Sequence, residues 1–163
     1  MFRIGTGYDI HRTAAGRPLV LGGVSIPSDR GLDGHSDADV VLHALCDALL
    51  GAAGLGDIGE LFPDTEPRYC GVDSRRFVHE VLARVHDAGL RVQNADVTII
   101  AERPRLAPHK PAIRDSLAQL LDIEPGCVGV KAATNEGLDA LGRGEAIACW
   151  ASVLLASEPA NGG

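Results

Sequence analysis

The segment GHSDADVVLHALCDALLG, at residues 34–51, constrains the fold of this chain most strongly. Its apolar residues recur with helical spacing, so it predicts a helix that continues to about Ala53. Ser36 or Asp37 is expected to cap the beginning of this helix. A helix this apolar must be buried against a sheet or other helices. His43 lies among the apolar residues, where a leucine would serve packing alone, so its function needs an explanation.

The rest of the chain alternates strand-like and helix-like segments. Strands are predicted at residues 2–10, 18–26, 92–101, 127–132 and 146–155, and further helices at residues 74–88 and 113–121. This order predicts an α+β fold, an α/β sandwich in which three helices pack on one face of a mixed sheet of four to five strands. Residues 1–157 are expected to form a single domain, and residues 158–163 a disordered tail.

The composition excludes several classes of partner. The formal net charge is −7, which argues against nucleic-acid binding. No apolar run reaches the roughly 18 residues of a membrane helix, and the N-terminal residues lack the layout of a signal peptide. The four cysteines are widely spaced, which favours a reducing cytoplasm. A cytoplasmic protein is therefore predicted, and a small anionic ligand would need a cation to offset the acidic charge.

A metal site is suggested by Asp9 and His11, which are two residues apart at the predicted end of a strand. Their side chains should point to the same side because successive strand residues alternate. With His43 from the following helix they would give the three protein ligands of an open zinc site. Spacing alone favours the alternative, in which Asp9 and His11 are an exposed strand end and His43 is a core histidine.

Other polar residues lie at predicted loops and helix ends. His35 precedes the helix beginning, where free backbone N–H groups attract phosphates. Asp57 lies in the glycine-flanked GDIG, residues 134–136 follow a strand directly, and Arg143 lies between glycines. Each of these has an ordinary alternative as a helix cap, a turn or a solvated loop.

Five segments together carry a family resemblance. GYDIH, GGVSIP, GHSDADVVLHALCDALLGAAGLGDIGELFPDT, DVTIIAERP and GRGEAIAC resemble, in the same order, the 2-C-methyl-D-erythritol 2,4-cyclodiphosphate synthases of the non-mevalonate isoprenoid pathway. The resemblance extends from Arg3 to about Leu155. It implies a phosphorus-oxygen lyase that converts 4-diphosphocytidyl-2-C-methyl-D-erythritol 2-phosphate to the 2,4-cyclodiphosphate and CMP. It also implies a homotrimer whose active sites lie between adjacent subunits.

The resemblance also implies roles for individual residues. Zinc would be bound by Asp9, His11 and His43, and Glu136 would hold a magnesium or manganese ion through the phosphates. His35 and Thr134 would stabilise the transition state, and Ser36 would contact the substrate. The methylerythritol hydroxyls would be held at Asp57, Ile58 and Gly59, beneath a closing loop that consists of Phe62, Pro63, Asp64, Thr65 and Glu66. The cytosine pocket would consist of Ala101, Pro104, Arg105, Leu106 and Ala107. Further substrate contacts are implied for Ala133, Asn135, Ala140 and Arg143.

This sequence departs from the family pattern at three of those positions. Ala133 and Asn135 replace the hydroxyl residues expected on either side of Thr134, and an aromatic residue usual near Ala140 is missing. The departures bear on the cytidine contacts and on isoprenoid binding at the trimer axis, not on the metal ligands.

Two other function classes stay open at this point. A metal-dependent phosphohydrolase could use the same Asp9, His11 and His43, but it would need a metal-bound water as nucleophile. A cytidine substrate that releases CMP without consuming water would distinguish the synthase. A non-catalytic trimeric binding protein would retain only the fold, and the presence of His35 and Thr134 argues against it.

Overall fold

The structure is a computed structural model in which residues 1–157 are described, and the predicted tail lies outside them. The strands are β1 (Phe2–Ala15), β2 (Leu19–Leu21), β3 (Val24–Ile26), β4 (Arg30–Leu32), β5 (Leu90–Ile100), β6 (Val128–Ala133) and β7 (Ala146–Ser157). The helices are α1 (Val40–Ala53), α2 (Ile58–Leu61), α3 (Arg75–Asp87), α4 (Lys110–Leu121) and α5 (Asp139–Gly142).

The main sheet has five strands in the order β4-β1-β7-β5-β6. Only β5 and β6 run parallel within it, and β2 and β3 form a separate hairpin. The three long helices α1, α3 and α4 pack on one face, so the predicted mixed sheet and α+β class are confirmed. Among residues 1–157, none of the helices combines the length and apolarity that a membrane crossing requires.

The contact between α1 and β1 depends on two glycines. A Cβ atom at Gly5 or Gly7 would lie 2.0 Å from the carbonyl oxygen of Ala48 or Ala44, respectively. No side chain fits at that distance, so the helix backbone rests directly on the strand. Because strand side chains alternate, odd-numbered residues of β1 face the helix layer.

The opposite side of β1 is uncovered and apolar. Phe2, Ile4, Tyr8 and Ile10 are all exposed there, Ile4 to 76 %. Tyr8 lies beside Trp150 of β7, with ring centroids 4.7 Å apart. We call these five residues the bare sheet face. An apolar surface of this kind marks a site of association.

Strand β1 is longer than predicted. It was expected to end at Ile10, but it continues to Ala15 because it pairs first with β7, up to Arg12, and then with β4. Asp9 and His11 therefore lie in the middle of a strand and not at its end. The prediction that the Asp9 and His11 side chains point to the same side of the sheet still holds, because it depends only on the alternation of side chains along a strand.

The predicted cap of α1 was wrong. The helix begins after Asp39, whose carboxylate accepts hydrogen bonds from the backbone of Leu42 and Val41. The same carboxylate accepts from Gly22 and Gly23, which form the turn between β2 and β3. Burial raises the pKa of Asp39 to about 6, although these donors oppose the shift. A contact with a distant hairpin selected this cap, and local sequence does not reveal such a contact.

Candidate active site

Asp9, His11 and His43 come together where α1 begins above the middle of β1. Asp9 Oδ2 lies 3.0 Å from His11 Nδ1 and 3.1 Å from His43 Nδ1. One ligand atom from each residue falls within 4.8 Å of the other two. Tetrahedral zinc ligands with bonds of about 2.0–2.1 Å lie about 3.3 Å from one another. The glycine contact between β1 and α1 brings these side chains within 4.8 Å of one another, close enough to share one ion.

The donor set fits a divalent cation. Within residues 1–157, the buried His11 Nδ1 has no hydrogen-bond partner, although Asp9 Oδ2 is near it. Burial alone would raise the pKa of Asp9, but the two adjacent imidazoles outweigh this effect and lower it well below its ordinary range. Burial lowers the pKa of His43, but Asp9 outweighs this effect and raises it. The site therefore stabilises an added positive charge, as a metal-binding site must.

The second ring nitrogen of His43 contacts serine hydroxyl groups. His43 Nε2 lies 2.9 Å from Ser74 Oγ and 3.2 Å from Ser36 Oγ. Ser74 is fully buried and also bonds Asp37. Ser74 stands directly before the first residue of α3, yet its side chain makes no capping hydrogen bond to that helix. Its contact with His43 depends on how α3 packs beside α1.

A cavity of about 550 Å³ opens over His11 and His43, and we call it the histidine cavity. The residues that line it are His11, Asp33, Gly34, His35, Ser36, His43, Ile58, Gly59, Phe62, Pro63, Asp64, Thr65, Tyr69 and Phe77. The exposed His35 ring lies at its edge, with Nε2 3.3 Å from the carbonyl oxygen of Glu66. Most of the residues predicted to bind the phosphates and the sugar therefore lie around this one cavity.

An aromatic cluster that the sequence did not reveal forms one wall of this cavity. Phe77 of α3 stacks on Phe62 at 4.6 Å and meets Tyr69 edge-on at 5.6 Å. Its ring centroid also lies 6.1 Å from that of His43. Phe62 is the first residue of the predicted closing loop and Tyr69 lies three residues after its last, so the chain packs on α3 at the beginning of that loop and shortly after its end.

Asp57 has a local structural role beside the cavity. Its side chain accepts a hydrogen bond from the backbone of Glu60 and caps the short helix α2. Asp47 of α1 accepts from the backbone of Ile58, which holds α2 against the longer helix. The GDIG segment thus begins a helix, whereas the sequence predicts a loop there.

A second cavity, of about 350 Å³, lies at the other edge of the sheet, and we call it the proline-loop cavity. Its lining consists of Ala101, Glu102, Pro104, Arg105, Leu106, Ala107, Lys110, Ala132, Ala133 and Thr134. Glu136 takes a left-handed backbone conformation with φ 52°. Its carboxylate lies 3.3 Å from Thr134 Oγ, while Asn135 turns away and bonds Leu138 and Asp139.

The two cavities are separate within one chain. Asp9 is aligned through Cys149 and Ile99 with Ala132, three strands away. At a spacing of about 4.8 Å per strand, the two cavities are offset by about 14 Å across the sheet. The structure does not bring Thr134 or Glu136 to the metal ligands of the same chain.

Ala140 and Arg143, both predicted to contact the substrate, line neither cavity. Ala140 lies in α5, and Arg143 pairs with Glu145 at 2.9 Å beside a third cavity of about 520 Å³. Burial is slight there, and the ion pair with Glu145 raises the pKa of Arg143. Within one chain these residues therefore stand apart from both candidate binding regions.

Comparisons with known proteins agree with this geometry. The YgbB family matches residues 2–156. A relative from Desulfosudis oleivorans, named 2-C-methyl-D-erythritol 2,4-cyclodiphosphate synthase, is 55 % identical over 98 % of this chain and 95 % of its own. A solved structure of such a synthase in a CDP-bound form is 45 % identical, with TM-score 0.88 over 94 % of this chain and all of its own. The bifunctional IspDF of Campylobacter jejuni aligns at 40 % identity and TM-score 0.93 over 97 % of this chain, which spans 43 % of that longer protein.

Proposed function

The chain belongs to the YgbB family, the 2-C-methyl-D-erythritol 2,4-cyclodiphosphate synthases, and we propose that it catalyses the reaction for which its relatives are named. The observation that carries the proposal is the Asp9, His11 and His43 cluster beneath a cavity of substrate size. The substrate would be 4-diphosphocytidyl-2-C-methyl-D-erythritol 2-phosphate. The protein would then be a phosphorus-oxygen lyase of isoprenoid biosynthesis. We propose that it acts in the cytoplasm.

The reaction joins two groups of one molecule. An oxygen of the 2-phosphate attacks the β-phosphorus, and the bond from that phosphorus to the oxygen shared with the α-phosphate breaks. CMP leaves with that oxygen, and the methylerythritol keeps a cyclic diphosphate. Because nucleophile and electrophile are already linked, positioning can supply up to ~7–11 kcal/mol of the barrier reduction in ideal cases. No side-chain nucleophile is required.

The residues divide between cation binding and orientation. Asp9, His11 and His43 would hold zinc, and Glu136 would help to hold magnesium or manganese. When bound, such cations neutralise the charge that develops on the phosphates. His35 is supported at the cavity edge by the Glu66 carbonyl, from where it would donate to a phosphate oxygen. Thr134 would donate similarly from the loop after β6.

Assembly with other copies would complete the site. The metal ligands and the Thr134 loop are about 14 Å apart across the sheet of one chain, and the bare sheet face offers an apolar surface for association. We propose a homotrimer in which the histidine cavity of one subunit faces the proline-loop cavity of its neighbour. The CDP-bound relative supports a cytidine nucleotide as ligand. We assign the cytosine to the proline-loop cavity because the residues that the family resemblance implies for the cytosine pocket line it, and Ala133 offers no hydroxyl there.

The trimer has a direct test in solution. Light scattering is expected to give about three times the chain mass of 17.0 kDa. Ile4→Glu would place a charge on the bare sheet face and should shift the mass toward that of a single chain, with loss of turnover. Ala83→Glu, which adds the same single negative charge at an exposed position of α3, is the matched charge control. A stable and active monomer would contradict shared sites.

The reaction class is tested by the products and by labelled water. Phosphorus NMR should show the cyclic diphosphate and CMP in equal amounts. In oxygen-18 water neither product should gain label, because the nucleophile is a phosphate oxygen of the substrate. Label in CMP or in a linear phosphate would mean hydrolysis and would favour a metal-dependent phosphohydrolase.

A further inference from the structure

The buried Ser74 and the half-buried Asp37 form a hydrogen-bonded pair next to His43. Asp37 accepts twice from Ser74, from the backbone N–H at Oδ2 and from the hydroxyl at Oδ1. Asp37 Oδ1 also accepts from the backbone of Asp39 at 3.2 Å. Both oxygens of this carboxylate are therefore occupied as acceptors, which holds it in one orientation.

The number of available protons determines the direction of each bond. A serine hydroxyl has one proton, and an ionised carboxylate has none. The Ser74 proton must lie toward Asp37, since the two oxygens would otherwise face each other with lone pairs at very short range. Ser74 Oγ can then only accept from His43 Nε2, which lies 2.9 Å away. His43 Nε2 must therefore carry a proton.

Ser36 does not provide an equivalent alternative. Its hydroxyl lies 3.2 Å from His43 Nε2 and could donate to it only if that nitrogen were unprotonated. The lone pair on Nε2 would then face the lone pairs of Ser74 at the shorter distance of 2.9 Å. Ser36 Oγ already accepts from the backbone of Ala38 at 3.1 Å, and its own proton can point toward Ser74 or into the cavity.

We propose that Ser74, oriented by Asp37, is a positioning residue that keeps the proton of His43 on Nε2 and so directs the Nδ1 lone pair at the cation. The inference rests on the proposed metal site. It follows the general behaviour of metal-binding histidines, whose second nitrogen donates to a carboxylate or another acceptor. Here a serine is interposed between the imidazole and the carboxylate. In the neutral imidazole a proton on Nε2 leaves Nδ1 free to coordinate.

Zinc affinity is the first measurement. Ser74→Ala removes the acceptor for Nε2, and we expect chelator competition to show zinc binding weaker by a factor of about 10 to 100. Ser74 makes no capping bond to α3, so the helix should not be weakened through a lost cap. Ser116→Ala is the matched control, because it removes a partly buried serine bond to Gly22 that involves none of the proposed metal ligands. Its zinc affinity should be unchanged.

Asp37→Asn tests whether the orientation of the hydroxyl is the cause. The amide can supply only one acceptor oxygen, and with that oxygen on the Ser74 backbone N–H its amino group would face the hydroxyl. Ser74 would then donate to His43 and favour the wrong tautomer. Zinc affinity should fall as in Ser74→Ala, and the double variant should lose no more than about twofold beyond the worse single variant. If the two losses of zinc affinity instead multiplied in the double variant, Asp37 and Ser74 would act independently on His43, and the proposal would be contradicted.

Nitrogen-15 NMR of the zinc-loaded native protein reports directly which imidazole nitrogen of His43 carries the proton. This measurement does not depend on whether any variant folds. We expect His43 to show a protonated Nε2 and a metal-shifted Nδ1. A proton on Nδ1, or Ser74→Ala with native zinc affinity, would overturn the inference while leaving the metal site intact. If the native protein binds no zinc, the proposed metal site itself fails, so the two failures are distinguishable.

Discussion

His43→Ala is expected to reduce bound zinc from about one ion per chain to nearly none. The variant removes one of the three proposed protein ligands and leaves Asp9 and His11 on β1, a pair too small to retain the ion through dialysis. Turnover should fall at least a hundredfold, in the range found when one group that stabilises transition-state charge is removed, about 10²–10³. Elemental analysis of the dialysed protein and a steady-state assay give the two numbers.

The fold should survive this substitution. His43 lies at the edge of the apolar face of α1, and the fully buried Leu42, Leu45 and Leu49 are untouched. His79→Ala is the matched control, because it removes an exposed histidine from α3 outside the histidine cavity. It should keep zinc, turnover and the circular dichroism spectrum. Full zinc occupancy in His43→Ala would refute the ligand assignment.

Gly7→Ala is expected to cause a large loss of stability for a single added methyl group. Its Cβ would lie 2.0 Å from the Ala44 carbonyl oxygen and 2.8 Å from the Ala48 nitrogen, and neither backbone atom can rotate away. Overpacking usually costs about 1–3 kcal/mol, and a backbone clash falls at or above the upper end. We expect the free energy of unfolding, from urea titration, to fall by at least about 3 kcal/mol. Any folded fraction should bind zinc weakly, because α1 carries His43 away from β1.

Gly51→Ala provides a control in the same helix. The nearest atom to its Cβ would be the Thr6 carbonyl oxygen at 4.0 Å, and Gly51 is exposed within α1. Alanine is the better helix former, so this variant should gain about 0.5–1 kcal/mol. The opposite signs separate a clash at the strand from a general effect of replacing glycine. Equal stability of Gly7→Ala and the native protein would contradict the close packing.

Several features of the fold were open to prediction because they depend on short-range periodicity. The apolar spacing in residues 40–53 indicated α1, and Phe77, Val78 and Val81 indicated the buried side of α3. The short strand β4 and the helices α2 and α5 were missed. Each of these has three or four residues, too few for a periodic pattern to register.

Within the metal cluster, too, one part could be predicted from periodicity and the other part could not. Alternation along β1 predicted that Asp9 and His11 share a side, but spacing alone favoured His43 as an ordinary core residue. The link from His43 to Asp9 came first from the family resemblance and then from the packing of α1 on Gly5 and Gly7. Gly5 and Gly7, four and two residues before Asp9, are the sequence feature that could have indicated this close approach of a helix to β1.

The sequence by itself determined the main helices, the mixed sheet, the family and the identity of the candidate ligands, because these follow from local periodicity and from the order of specific segments. Only the tertiary structure decided that Asp39 and not Ser36 or Asp37 caps α1, that Phe77 closes the histidine cavity, and that Ser74 meets His43. These contacts join residues up to 31 positions apart. Their existence depends on how helices and hairpin pack in three dimensions, for which neighbouring residues carry no pattern.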